Sequence, residues 1–379
     1  MNINIYGSTG IIGRKTLDLI DVNFPNLKIN LLCAKSNFKL LKKQIIKYKP
    51  KYAFLYDLEK FSYPNTKIGK TIFLNFNELQ DYLMVSKSNL SLLAISGYKS
   101  LYFLDYIIQN TDNLGIVSKE AIVSAGHIFK KKNYFNKTNI FPIDSEHFSL
   151  FELINKINTK NRFNKIILTA SGGPFYKKKF NTLKNIKFSK AIQHPKWNMG
   201  YKNSIDSATL VNKCLELIEA HYLFDIPFEK MQILIHPEAI VHSIVEFENY
   251  ISQFNLFKND MSIPILNFLL MSKMKYNNHQ KYFIKNYENF HFENVKKDIF
   301  PIYNYFLRIN KSKPQNLIKF NIGNEFAVNL FKNGKIKYTD IYKIIKKVTS
   351  LNLYSSVNTI KDIINYHEEI ENKLLSFKI

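Results

Sequence analysis

A hydroxyl, an amide, an ammonium and a carboxylate lie close together where the chain reads Ser207-Ala208-Thr209-Leu210-Val211-Asn212-Lys213 and runs on to Glu216. On a helix over 208–224, Asn212, Lys213 and Glu216 share a face at three- and four-residue spacing. Leu210, Val211, Cys214, Leu217 and Ile218 then fall on the faces to be buried. Such a polar stripe is most often a solvated face, so it takes further motifs to make it a candidate anion site. Ser171, in Ser171-Gly172-Gly173-Pro174, and Ser207 each stand at a turn from which a hydroxyl can reach a phosphate. Lys213 supplies a counter-charge and Asn212 a further donor. Between these turns lies His194-Pro195-Lys196-Trp197-Asn198-Met199-Gly200, a glycine-bearing loop with the chain's single tryptophan.

Asp144-Ser145-Glu146-His147 follows an apolar run, and in extended chain its carboxylates at i and i+2 point to one side. Glu216 completes a three-carboxylate set for a hard divalent cation. Oxygen donors without cysteine favour Mg²⁺ or Mn²⁺, with Co²⁺ also admitted, over Zn²⁺. The alternative is an ordinary helix N-terminus capped by Asp144 or Ser145, and the two readings are compatible.

A nucleotide site is signalled by Gly7-Ser8-Thr9-Gly10-Ile11-Ile12-Gly13, which follows the first apolar run and opens a helix. Glycines at this spacing allow a tight turn, close backbone approach to a pyrophosphate and close helix packing, a GxxGxxG variant of the dinucleotide fingerprint. Where an NAD-specific fold places an acidic residue, this chain has Ala34-Lys35-Ser36-Asn37, whose donors suit a 2′-phosphate and favour NADPH over NADH. An ordinary turn in a lysine-rich chain explains Lys35 equally well. Ser118-Lys119-Glu120 ends a later strand, where Lys119 is either a surface lysine or a group reaching the reacting centre from the cofactor side.

These groups need a scaffold. Apolar runs at 3–6, 29–32, 52–55, 90–95, 115–117 and 140–143 alternate with helical stretches, the rhythm of βαβ units in a parallel sheet. After a helix at 148–157, runs at 165–170, 231–235 and 240–246 predict a mixed sheet with one face packed by the 208–224 helix. Helical spacing returns at 324–331, 338–348 and 358–375. A length of 379 residues with 46% hydrophobic content supports two or three domains. The expected fold class is α/β: an N-terminal Rossmann-type parallel sheet over 1–143, a central α+β domain with a mixed sheet over 144–270, a connecting segment over 271–313 and a C-terminal helical domain over 314–379.

The net charge of +24 invites a nucleic-acid reading, yet only Arg14, Arg162 and Arg308 are arginines among 54 cationic side chains. Guanine and phosphate recognition favours clustered arginine, so dispersed lysine argues against a nucleic-acid partner. Cys33 and Cys214 form neither a disulfide framework nor a metal cluster. With no membrane-span run and no leader ahead of the first strand, the expectation is a cytoplasmic protein without a membrane partner.

Taken in order, the motifs resemble those of the 1-deoxy-D-xylulose 5-phosphate reductoisomerase family, NADPH-dependent enzymes of the methylerythritol phosphate route to isoprenoids. The resemblance runs from the Gly7 loop through Ser118-Lys119-Glu120, Asp144-Ser145-Glu146-His147, Ser171-Gly172-Gly173-Pro174-Phe175, the His194 loop and the Asp206 to Glu216 stretch. It continues through His236-Pro237 with His242-Ser243, Asp260-Met261 with Pro264-Ile265, and Asn321-Ile322-Gly323-Asn324-Glu325. It implies a V-shaped homodimer acting on a phosphorylated small molecule, with a mobile loop in the central domain. Gly7, Ser8, Thr9, Gly10, Ile11 and Ile12 would embrace the pyrophosphate, Lys35, Ser36 and Asn37 the adenosine ribose end, and Ser118, Lys119, Glu120 and Gly200 the nicotinamide side. Asp144, Glu146 and Glu216 would hold the metal. Ser171, Ser207, Asn212 and Lys213 would bind phosphate, with Ser145 near the reacting carbons and His194, Trp197 and Met199 on the closing loop. Lys119, Glu146, His194 and His242 would be the catalytic groups. Ser118 replaces the family's usual Asn, Tyr201 an Arg or Lys, and Cys214 a Gly. Another NADPH-dependent reductase, of a semialdehyde or hydroxy acid, would not need both the three-carboxylate set and the two-serine anion site.

Overall fold

The alternating pattern folds into two compact units in a computed structural model that describes residues 1–57, 67–156, 163–196, 200–275, 289–353 and 355–377. In chain order the elements are β1 (Asn2–Tyr6), α1 (Ile11–Asn23), β2 (Lys28–Ala34), α2 (Phe38–Tyr48), β3 (Tyr52–Leu55), β4 (Lys67–Ile68), β5 (Thr71–Phe73), α3 (Phe76–Val85), β6 (Ser88–Leu93), α4 (Leu101–Gln109), β7 (Thr111–Ile116), α5 (Lys119–Lys131), β8 (Asn139–Pro142) and α6 (Ser145–Lys156). There follow β9 (Phe163–Ala170), α7 (Phe188–Ala191), α8 (Tyr201–Ala208), α9 (Val211–Phe224), β10 (Met231–Ile235), β11 (Val241–Phe247), β12 (Ser252–Leu256) and α10 (Ser262–Leu270). The chain ends with β13 (Glu293–Asn294), α11 (Pro301–Arg308), α12 (Pro314–Lys332), α13 (Asp340–Thr349) and α14 (Ile360–Leu375).

The first unit comprises Met1–Ala121, Phe129–Phe148 and Asp260–Tyr282. Its eight-stranded sheet runs β4-β5-β3-β2-β1-β6-β7-β8, and its neighbours are parallel except β4 with β5. Strands covered on both faces read as near-continuous apolar runs, and Ile3, Ile5, Leu31, Leu32, Leu90, Leu92 and Leu93 are buried accordingly. Strand order departs from β1 in one direction and resumes at β6 in the other. The loop after β1 therefore sits at the topological switch point, where such sheets bind ligands. α10 returns to this unit from far along the chain, Phe268 packing on Phe141 at 5.9 Å between ring centroids.

The second unit comprises Ile122–Ile128, Ser149–Asn259 and Phe283–Ile379. Its sheet runs β12-β11-β9-β10-β13, with β9 and β10 parallel and the other pairs antiparallel, the mixed sheet read from the sequence. The helix expected over 208–224 is divided. α8 ends at Ala208, Leu210 takes the left-handed conformation (φ 64°), and α9 starts at Val211. Thr209 Oγ1 donates back to Ile205 O at 3.0 Å while the Leu210 side chain is buried, which holds a backbone conformation that a branched residue otherwise avoids. α9 is also enclosed nearly all round, Lys213, Glu216 and Glu219 included, so its polar stripe is no solvated face. In the segment 271–313, residues 276–288 lie outside the described ones. The remainder carries β13, paired with β10, and α11, started by Pro301.

Candidate active site

The loop after β1 has the geometry its glycines predict. Gly7 and Ser8 both donate backbone N–H to Cys33 O at 2.9 Å, and Gly10 N donates to Gly7 O at 3.1 Å. Gly7 has φ +94°, and a Cβ there would collide with Ala94 O and lie 2.8 Å from Ala94 C; a Cβ on Gly13 would lie 2.7 Å from Ser8 Cα. α1 starts at Ile11 with no side-chain cap and no acidic residue in its first turn, leaving N–H groups and the positive end of the helix dipole for an anion. Ile11 is 53% exposed beside this turn, an apolar surface for a flat ring. Buried Gln44 on α2 holds the loop from behind: its Nε2 donates to Ser8 O at 2.8 Å and its Oε1 accepts from Ser8 Oγ at 2.9 Å. Sequence reading missed Gln44, whose only signal is a polar residue on the buried face of α2. Lys35, Ser36 and Asn37 are exposed, and Asn37 Oδ1 caps α2 through Leu40 N at 3.1 Å.

At the end of β7, Ser118 Oγ donates to Glu120 Oε2 at 3.3 Å and accepts from Ala121 N at 3.3 Å, which ties down the first turn of α5. Lys119 Nζ pairs with Asp144 Oδ2. Asp144 and Glu146 are not in extended chain as one reading expected, because Glu146 belongs to the first turn of α6. Asp144 precedes that helix, and its Oδ1 accepts from Glu146 N (3.2 Å) and His147 N (3.4 Å) and faces His147 Nδ1 (3.2 Å). The N-capping alternative thus holds for Asp144, since a short acceptor there satisfies otherwise orphaned N–H groups. Ser145 Oγ donates to Glu146 Oε2 at 2.7 Å.

In the second unit, Glu216 is fully buried and engaged at both oxygens, accepting from Asn212 Nδ2 at Oε1 and from Lys213 Nζ at Oε2 (2.8 Å). The three polar residues that share a face in sequence therefore form one hydrogen-bonded group. Beside it, Ser171 and Ser207 meet on His194, whose Nε2 lies 3.0 Å from Ser171 Oγ and 3.1 Å from Ser207 Oγ. Lys196 N donates to His194 Nδ1 at 3.2 Å, so this pattern assigns the proton to Nε2. Nε2–H then donates to the serine oxygens and leaves the hydroxyl hydrogens to be given elsewhere. His242 is buried, its ring stacked on Phe257 at 4.1 Å and its Nε2 3.4 Å from Phe257 O. Gly200 is exposed at the start of α8. Trp197 and Met199 lie outside the described residues.

A parallel sheet with a glycine loop shaped for a dinucleotide at its switch point, in a chain that also carries hard carboxylate donors and two serine hydroxyls gathered on one histidine, fits a nucleotide-dependent oxidoreductase of phosphorylated substrates. Family models match residues 3–126 (1-deoxy-D-xylulose 5-phosphate reductoisomerase), 140–224 (its C-terminal domain) and 256–373 (DXP reductoisomerase C-terminal domain). The reductoisomerase of Pelagibacter ubique is 34% identical over 100% of this chain and 99% of its own, and that of Clostridium acetobutylicum 36% identical over the same shares. Among solved structures, the Zymomonas mobilis enzyme in complex with NADPH superposes with a TM-score of 0.85 at 28% identity, covering 100% of this chain and 99% of the other. A reductoisomerase in complex with NADPH, fosmidomycin and magnesium gives 0.88 at 27%, covering 99% and 98%. The chain belongs to the 1-deoxy-D-xylulose 5-phosphate reductoisomerase family. Its activity is the NADPH- and divalent-metal-dependent conversion of 1-deoxy-D-xylulose 5-phosphate to 2-C-methyl-D-erythritol 4-phosphate.

Proposed function

We propose that Ser171, Ser207, Asn212, Lys213 and His194 bind the substrate phosphate in this reaction, and that Asp144, Glu146 and Glu216 hold the cation. The carrying observation is His194 Nε2 set between the two serine oxygens, an arrangement that orients two hydroxyl donors toward one anion. The metal assignment fits the donor set, all carboxylate oxygen, with buried Glu216 braced by an amide and an ammonium. The β1 loop (Gly7, Ser8, Thr9, Gly10, Ile11, Ile12) takes the pyrophosphate. Lys35, Ser36 and Asn37 take the 2′-phosphate end, and Ser118, Lys119, Glu120 and Gly200 the nicotinamide side. When bound, the cation supplies Lewis acidity toward the substrate's carbonyl and hydroxyl oxygens, and NADPH supplies the hydride. Lys119 holds protons on Nζ beside Asp144, and Ser145 keeps its hydroxyl on Glu146. His242, stacked on Phe257, is a further candidate catalytic group of the substrate site. Trp197 and Met199 are assigned to substrate binding by the family resemblance alone, and phosphate contacts at a distance from the reacting carbons help orient the substrate.

Following NADPH oxidation with 1-deoxy-D-xylulose 5-phosphate and Mg²⁺ tests the reading, expecting turnover that chelation abolishes and a raised KM in Ser207→Ala. Unchanged substrate KM in Ser207→Ala would remove that residue from the site.

A homodimer is supported by the second unit's sheet. Edge strand β12 and the segment before β13 expose Phe254 (46%), Leu256 (44%), Phe290 (41%) and Phe292 (38%), more apolar surface than an isolated edge comfortably leaves in water. Phe254→Glu should yield monomers in sedimentation equilibrium, and an unchanged mass would exclude this face. No helix among the described residues is long and apolar enough to cross a membrane. Free, buried Cys33 and Cys214 suit the reducing cytoplasm.

A further inference from the structure

We infer that Asn324 on α12 and Tyr338 just ahead of α13 are positioning residues that set Ser207 for phosphate binding, an inference that rests on the assignment of Ser207 to that site. Both of their hydrogen bonds end on the residues flanking Ser207. On one side the buried Asp206 carboxylate accepts from Asn324 Nδ2 at 2.8 Å, its other oxygen taking Lys202 Nζ at 2.7 Å. On the other side Ala208 O accepts from Tyr338 Oη at 2.9 Å.

Ala208 closes α8, so its carbonyl is one of the four that a helix end leaves without an intrahelical partner. Because Leu210 turns left-handed (φ 64°) immediately afterwards, α9 cannot continue the ladder, and the Tyr338 hydroxyl takes the place of that missing donor. Asn324 and Tyr338 are themselves immobilised: both are buried, and Tyr338 meets Phe175 edge-on at 5.5 Å and Phe331 at 5.8 Å. Burial pushes the Tyr338 phenol well above its ordinary range, so it stays a donor at any working pH. The Gly173 backbone closes the third side, since a Cβ there would stand 2.9 Å from Ser207 O. The last turn of α8 is thus gripped from three directions at the residue whose hydroxyl sits 3.1 Å from His194 Nε2. A slip of about 1 Å, of the size that already costs misplaced catalytic groups most of their effect, would break that contact.

The test is a double-mutant cycle on the full-length enzyme with bound Mg²⁺. Tyr338→Phe removes only the hydroxyl and keeps the ring packing. It should raise the substrate KM and the inhibition constant of a phosphonate hydroxamate by roughly fivefold, the worth of one neutral hydrogen bond, with the NADPH KM unchanged. In a Ser207→Ala background the same change should have almost no effect, because the hydroxyl it positions is gone. Asn324→Ala should repeat this pattern. An unchanged substrate KM in Tyr338→Phe overturns the inference, and so does an equal rise in both backgrounds, which would mean general loosening. If Ser207→Ala alone leaves the substrate KM unchanged, the phosphate assignment falls and this inference with it. A rise in Ser207→Ala without one in Tyr338→Phe leaves the phosphate assignment standing and removes only the positioning role.

Discussion

Three side chains with formal roles in sequence turn out to be one hydrogen-bonded unit, and this decides what their substitution does. Glu216 is completely enclosed and carries Asn212 and Lys213 on its two oxygens. Glu216→Gln removes a charge from a metal-type donor set and also the carboxylate that the buried Lys213 ammonium faces. Turnover should be abolished while NADPH, whose proposed site is the β1 loop, still titrates normally by calorimetry. Urea unfolding should show a loss of about 3 kcal/mol, the usual consequence of breaking a buried ion pair on one side. Loss of NADPH binding together with activity would make Glu216 a structural residue of the whole fold. His194 carries a comparable lesson, because its tautomer follows from the Lys196 backbone N–H, a partner that no spacing in the sequence announces.

Among elements, the loop from β1 into α1 is the most completely specified. A positive φ at Gly7 and contact with the Ala94 backbone leave room for no side chain. Gly7→Ala should therefore weaken NADPH binding by at least about tenfold, through a strained left-handed residue and a displaced loop. Fluorescence titration of NADPH checks this, and an unaltered affinity would show that the pyrophosphate lies elsewhere. Five strands of the parallel sheet were readable within about two residues, since burial on both faces forces continuous apolar runs, whereas β7 starts at Thr111, ahead of the 115–117 run, because it opens on polar Thr-Asp-Asn, and the short β4 and β5 were not read. Nor were α10 and β12. α10 is apolar almost all round, so it lacks the periodic stripe that reveals a helix, and β12, Ser-Gln-Phe-Asn-Leu, is an exposed edge whose alternation covers too few residues to stand out. The break between α8 and α9 was equally silent, because Leu210 is a residue type that ordinarily continues a helix.

At the scale of the molecule, acid should act on the second unit through His367. This histidine of α14 is buried with its Nε2 3.0 Å from Ser124 Oγ on α5, and burial lowers its pKa to about 3. The unfolded chain takes up a proton near pH 6.5 and the native state does not. The contribution is therefore complete above about pH 6.5 and is lost as pH falls from there toward 3, amounting to about 2 kcal/mol by pH 5. Thermal unfolding between pH 7 and 5 should be steeper in the unmodified protein than in His367→Gln. Parallel slopes would mean that His367 is solvated before unfolding.

Much of the chemistry is local, and that part the sequence determined by itself. A glycine loop after a first strand, the turn Asp144-Ser145-Glu146 and the run from Ser207 to Glu216 each depend on neighbours only a few residues away, so residue type and spacing suffice to mark them as a candidate nucleotide loop and candidate carboxylate and hydroxyl donors. What the tertiary structure decided is everything set by partners distant in the chain. It placed Gln44 behind Ser8, brought His194 between Ser171 and Ser207, and enclosed the polar face of α9. It also fastened the end of α8 to Asn324 and Tyr338. Those contacts depend on how helices and strands pack, and hydrogen bonds between residues 13 to 130 positions apart leave no periodicity in a single sequence from which to read them.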